Sequence, residues 1–191
     1  MQKLFYLLLF SLSTICATAQ VDFGEFQFEK GYVVTNKGDT LHGKIKYARA
    51  YELSQRCTFI KDGDETNEHI RYPPFTIKTF CVKNEIYESK IYDYSPDRPD
   101  GFGVFMHRIE NGECKMYEYW NSDKERGFTQ VFLEKKGKMM EEVGFFMFKK
   151  QMMSYFSDYP QLQAKIGRSA FKRSEVQRIV QEYNSFKARK V

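Results

Sequence analysis

The residues able to do chemistry are few and scattered. His42, His69 and His107 are the whole imidazole inventory of the 191-residue chain. No H-x-H, H-E-x-x-H or Cys/His pair stands at ligand spacing, so the sequence offers no metal site. His42 falls on the polar side of a predicted strand, His69 precedes Pro73-Pro74, and His107 shares a strand face with Phe105 and Ile109. The acidic stretch 62–68 sets oxygens at Asp62, Asp64, Thr66 and Glu68. A calcium loop of the EF type needs glycine sixth and glutamate twelfth, and Asn67 and Pro73 occupy those places. There is no Gly-x-Ser-x-Gly elbow, and carboxylate spacing alone nominates no glycosidase pair. No catalytic residue, metal or cofactor is expected.

Two constellations stand as ligand-binding candidates. The polar connection 95–103 carries Asp97, Arg98 and Asp100, which a rigid scaffold can present to a ligand, although ordinary turn chemistry explains the same residues. Its Gly101-Phe102-Gly103 lacks the rest of a phosphate-cradling motif and the helix that follows one. The run Met116-Tyr117-Glu118-Tyr119-Trp120 puts Tyr117 and Tyr119 on one strand face and Trp120 on the other with Met116. Aromatic faces in a groove stack on sugars or hold apolar ligands. Core packing is the competing reading of the same pattern.

Charge adds a third candidate. Residues 20–159 hold 21 basic and 23 acidic side chains, whereas residues 160–191 hold eight basic and two acidic. Lys172, Arg173, Arg178, Lys187, Arg189 and Lys190 therefore form a basic tail suited to an anionic membrane surface or an acidic partner. A solvated helix face whose cations complement the helix dipole is the alternative. Nucleic acid is not expected as a partner, because the N-terminus reads as an export signal.

That signal is the stretch 1–19. Lys3 precedes an apolar run at 4–12, and Ala17 and Ala19 form an A-x-A site, predicting cleavage before Gln20. The run breaks at Ser11, Ser13 and Thr14, well short of the ~20 apolar residues of a spanning helix. Cys16 follows Ile15, a poor acylation site. After residue 19 the longest apolar run, 143–148, is too short to span. The mature chain is expected to be soluble, in the periplasm or outside the cell. It keeps Cys57, Cys81 and Cys114, each inside a predicted strand, and no obligatory disulfide is expected.

The elements that must position these residues read as strands first and helices last. Residues 31–141 alternate apolar and polar side chains between turn signals. Asn36-Lys37-Gly38-Asp39 joins the first hairpin, with Gly38 supplying the positive φ. Further turns fall at 62–64, 83–85, 110–113 and 135–138, the last leading to a short strand around Met139. About seven to nine antiparallel strands result, a meander expected to curl or to form an open barrel. At 143–158 the period becomes helical, with Phe145, Phe148, Met152, Tyr155 and Phe156 as the apolar stripe. A short helix follows at 161–166. A last one is expected to open at Ser174 with Gln177 completing a capping box. The fold class is α+β, one domain over 20–191, with a helical part at 143–190 covering one face or end of the sheet.

The hairpin GYVVTNKGDTLHGKIKY and the endings FSDYPQLQAKI and VQRIVQEYN resemble an uncharacterised family of exported proteins of Bacteroidota. The resemblance covers most of the mature chain. It implies the fold and the compartment and carries no activity. The expected function is that of an exported, non-catalytic cell-envelope protein, a β-rich scaffold binding a partner protein or ligand. A small enzyme acting on envelope polymers and a peripheral membrane protein docking through its basic C-terminal helix are the alternatives.

Overall fold

The computed structural model describes residues 27–92, 101–121 and 127–189. Among the described residues, ten antiparallel strands form an open sheet, with four α-helices packed against it. In chain order the strands are β1 (Phe28–Thr35), β2 (Thr40–Lys46), β3 (Cys57–Lys61), β4 (Ile70–Tyr72), β5 (Ile77–Val82), β6 (Glu85–Tyr92), β7 (Phe102–Glu110), β8 (Cys114–Asn121), β9 (Phe128–Lys135) and β10 (Glu141–Glu142). The helices are α1 (Ala50–Gln55), α2 (Phe148–Tyr155), α3 (Pro160–Gly167) and α4 (Val176–Ala188). This is the α+β, strands-then-helices architecture the sequence predicts. The edge strand β4 brings the count to ten, and the short strand expected around Met139 is β10, displaced to Glu141–Glu142.

The spatial order is β10-β9-β8-β7-β6-β5-β1-β2-β3-β4. It departs from a plain meander once, where β5 pairs with β1 instead of β4. That exchange dictates the curvature. In a flat sheet β4 and β5 would lie about 19 Å apart, four strand spacings of ~4.8 Å. Yet residues 73–76 alone join them, closed by a turn in which the Thr76 N–H donates to the Pro73 carbonyl at 3.3 Å. The five strands must therefore wrap around their own apolar face. Gly31 and Gly43 make the wrap sterically possible. They stand opposite each other in the β1–β2 register, and a Cβ on Gly31 would lie 2.2 Å from the Cys81 carbonyl oxygen. Inside the wrap Val33, Ile45, Phe59, Phe80 and Phe105 form a core with Leu53 of α1.

The C-terminal half packs a second core. Cys114 and Met116 of β8 and Leu133 of β9 meet Met152 and Phe156, Leu162 and Ile166, and Ile179, Val180 and Tyr183. The predicted helix 161–166 is α3. The predicted helix 143–158 is shortened to α2, and residues 143–147 before it form a turn that follows β10. The last helix does not use Ser174 as its cap. A 3-10 turn at Arg173–Glu175 precedes it, Glu175 accepts from the Lys172 N–H at 3.0 Å, and Gln177 reaches across to Glu110.

Candidate functional site

Tyr117 and Tyr119 are not available to a ligand. Both are buried, in a cluster with Tyr92, Val104, Met106 and Phe132, and Tyr92 packs on the Tyr119 ring at 4.7 Å. The core reading of this strand is the one the structure realises for these two residues, because their face of β8 is covered. Trp120, on the opposite face, keeps 36 % of its surface exposed and lies against Gly127. Asp97, Arg98 and Asp100 lie outside the described residues, as do the segment 1–26 and Lys190.

The Tyr117 hydroxyl anchors an ionic network that sequence reasoning missed. It lies 2.8 Å from Glu88 Oε2 and 2.8 Å from Glu134 Oε2, and its single proton serves one carboxylate at a time. Lys90 Nζ approaches Glu134 at 2.7 Å and Glu88 at 3.4 Å. Arg108 holds Glu88 at 2.5 Å and Lys115 holds it at 3.1 Å. Burial opposes ionisation of Glu88, but the hydrogen bond from Tyr117 and the charges of Lys115 and Arg108 outweigh it and hold the carboxyl down to about 2. Burial, with the two carboxylates, pushes Tyr117 far up, so it acts as a donor and not as a phenolate. Three cations around two anions satisfy each other here. The arrangement locks β6, β7, β8 and β9 in register.

A second polar cluster fastens the helices. Lys135 donates to the Tyr155 carbonyl at 2.6 Å and to Asp158 at 2.8 Å, among the rings of Tyr155, Phe156 and Tyr183. Asp158 also accepts from Tyr183 at 2.6 Å and pairs with Lys187 at 2.8 Å. Asn184 spans the backbone of Cys114, accepting its N–H and donating to its carbonyl, each at 2.8 Å. Cys57, Cys81 and Cys114 are all buried free thiols, and burial pushes Cys114 up to about 12.

The basic tail is largely committed to the fold. Lys187 pairs with Asp158, Arg178 with Glu175, and Arg189 donates to the Ser185 carbonyl at 3.2 Å. Arg173 reaches the Val143 carbonyl at 3.3 Å and lies 5.8 Å from the Phe145 ring. Lys172 is exposed.

What the molecule exposes instead is apolar. Phe145 (72 %), Phe146 (94 %) and Met147 (57 %) project from the turn before α2, beside Met139 (82 %) in the β9–β10 connection. The sequence places Phe145 in a buried helical stripe, and the structure corrects this. Gln151 is the local cause. Its Oε1 accepts the Gly144 N–H at 2.8 Å, and its Nε2 donates to the Glu142 carbonyl at 2.6 Å and to Glu141 at 2.7 Å. Residues 142–144 are thereby tied back to α2, and 145–147 are thrown outward. The signal was present in the chain: Phe145-Phe146-Met147-Phe148 cannot all face one side of a helix.

A cavity of about 510 Å³ brings Lys138, Met139, Met147 and Lys150 together. A neighbouring one of about 360 Å³ joins Phe146 and Met147 to Lys149, Lys150 and Met153. The tip is thus an exposed apolar knuckle, indented by two cavities and flanked by lysines. Among the described residues, no group of three His, Cys, Asp or Glu side chains is placed to hold a metal ion, and no helix is long and apolar enough to cross a membrane. No family model, no curated protein and no solved structure matches the chain.

Proposed function

We propose that this chain is an exported, non-catalytic cell-envelope protein, a β-rich scaffold that works by docking through the knuckle of Met139, Phe145, Phe146 and Met147. One observation carries the reading. Four large apolar side chains stand in water at one place, whereas single exposed apolar residues elsewhere need no explanation. The titratable clusters support it from the other side, since Glu88, Glu134, Asp158 and Lys135 are each occupied by neighbours within the fold. Export rests on the leader at 1–19 and on the resemblance to the Bacteroidota family. The envelope is accordingly where an occupant for the knuckle is sought.

The test is a double variant, Phe145→Ser with Phe146→Ser. Both rings sit in solvent, so thermal stability should change by less than about 0.5 kcal/mol. Co-sedimentation with a bacterial envelope fraction should fall roughly tenfold, because two inserted rings carry most of a small apolar contact. Undiminished sedimentation of the double variant would overturn the assignment of this face.

A further inference from the structure

We infer that the occupant of the knuckle is the interface of an anionic lipid bilayer, an inference that rests on the docking role proposed above. Three features on the same surface point to lipid.

The first is shape. The apolar side chains form a protruding tip, Phe146 being 94 % exposed, and the cavities at its base are flanked by lysines. Side chains that stand this far into solvent can enter the acyl boundary without a complementary pocket on the other side.

The second is charge. Lys138 and Lys150 line the cavity beside Met139 and Met147, and Lys149 and Lys150 line the one beside Phe146. Arg173 lies against the Phe145 ring. The one carboxylate lining either cavity is Glu141, which already accepts from Gln151 at 2.7 Å. Four cations therefore surround four apolar side chains, the pairing that places aliphatic and aromatic groups in the acyl boundary and ammonium groups among lipid phosphates.

The third is reach. Lysine carries its charge on a flexible four-carbon stem, so Lys149 and Lys150, one turn from the exposed rings, can stay at the phosphate level while Phe146 and Met147 go deeper. Lys149 is now 3.3 Å from the Ser169 hydroxyl, an exposed contact that costs little to release.

Orientation follows. α2 would lie with its N-terminal end, which carries the exposed rings, on the bilayer. Of the described basic C-terminal residues that the sequence nominates, Arg173 is the one seen against the knuckle.

The experiment measures flotation of the purified chain, its N-terminus verified, with vesicles of phosphatidylcholine alone or with about one-third phosphatidylglycerol. Binding to the anionic vesicles is expected, weakened roughly tenfold by 0.5 M salt, because screening removes most of the surface attraction. Phe145→Ser with Phe146→Ser should abolish it. Lys149→Glu with Lys150→Glu should reduce it at least tenfold, while circular dichroism and melting temperature stay as in the parent. Lys187→Glu is the control for the tail; it disturbs the Asp158 pair and should leave vesicle binding within twofold. Equal binding to both vesicle types, or loss in Lys187→Glu comparable to that of the double lysine variant, would overturn the lipid assignment. Failure of every vesicle to bind, with sedimentation on the envelope fraction still dependent on Phe145 and Phe146, would replace lipid by an envelope protein and leave the docking role standing. Loss of that dependence too would sink both.

Discussion

Glu88 shows how a residue with every appearance of a functional acid is consumed by structure. It touches Tyr117, Arg108, Lys115 and Lys90, and no spacing rule relates residues 88, 108, 117 and 134 in the chain. Only the strand register brings them together, which is why the site is invisible in the sequence. Its carboxyl is held at about 2 against an ordinary 4.5. The stabilisation is therefore complete above pH ~4.5 and lost as the pH falls toward 2. Urea unfolding should show about 2 kcal/mol less stability at about pH 3 than at pH 7 from this group. Glu88→Gln should flatten that slope and cost on the order of 3 kcal/mol at pH 7, by leaving buried cations without their anion. The thiols give a second residue-scale expectation. Cys57, Cys81 and Cys114 are buried and unpaired, so alkylation should be negligible in native buffer and should titrate all three in denaturant, as mass spectrometry would read.

At the scale of elements, the first hairpin and the C-terminal helix were legible because local rules govern them. Gly38 takes φ 99° as the turn demands, and Val176, Ile179, Val180 and Tyr183 face the core at helical spacing. The segment 143–158 was not, since its apolar run satisfies a helical pattern and Gln151, acting on backbone groups seven and nine residues away, ties back the chain before the helix. Gln151→Ala should lower stability by about 2 kcal/mol by releasing these groups, and the loss should appear in thermal melts. Asn184→Ala should cost a similar amount, about 2 kcal/mol, because the Cys114 N–H and carbonyl lose their partner at the junction of α4 and β8. α1 and β4 had no strong pattern to announce them, and β10 was announced only by the turn at 135–138. Six and three residues are too short for a periodicity to register.

The whole molecule adds what no element contains. Gly31→Ala should prevent the wrap of β5-β1-β2-β3-β4, since the new Cβ strikes the Cys81 carbonyl. The expected result is a protein that unfolds at markedly lower denaturant concentration or fails to fold, read by the urea midpoint. If export is correct, the full chain expressed in a bacterium should be recovered outside the cytoplasm beginning at Gln20, which intact mass would establish. By itself the sequence determined the alternation of strands and turns, the succession to helices and hence the α+β class, because these follow from side-chain period and turn chemistry acting over a few residues. Tertiary structure alone decided that β5 pairs with β1, that Tyr117 and Tyr119 are core while Phe145 and Phe146 meet water, and that Lys187 of the basic tail pairs with Asp158. Each of those outcomes depends on which distant segment occupies the adjacent space, and burial is a property of the packed whole that no local pattern of residues encodes.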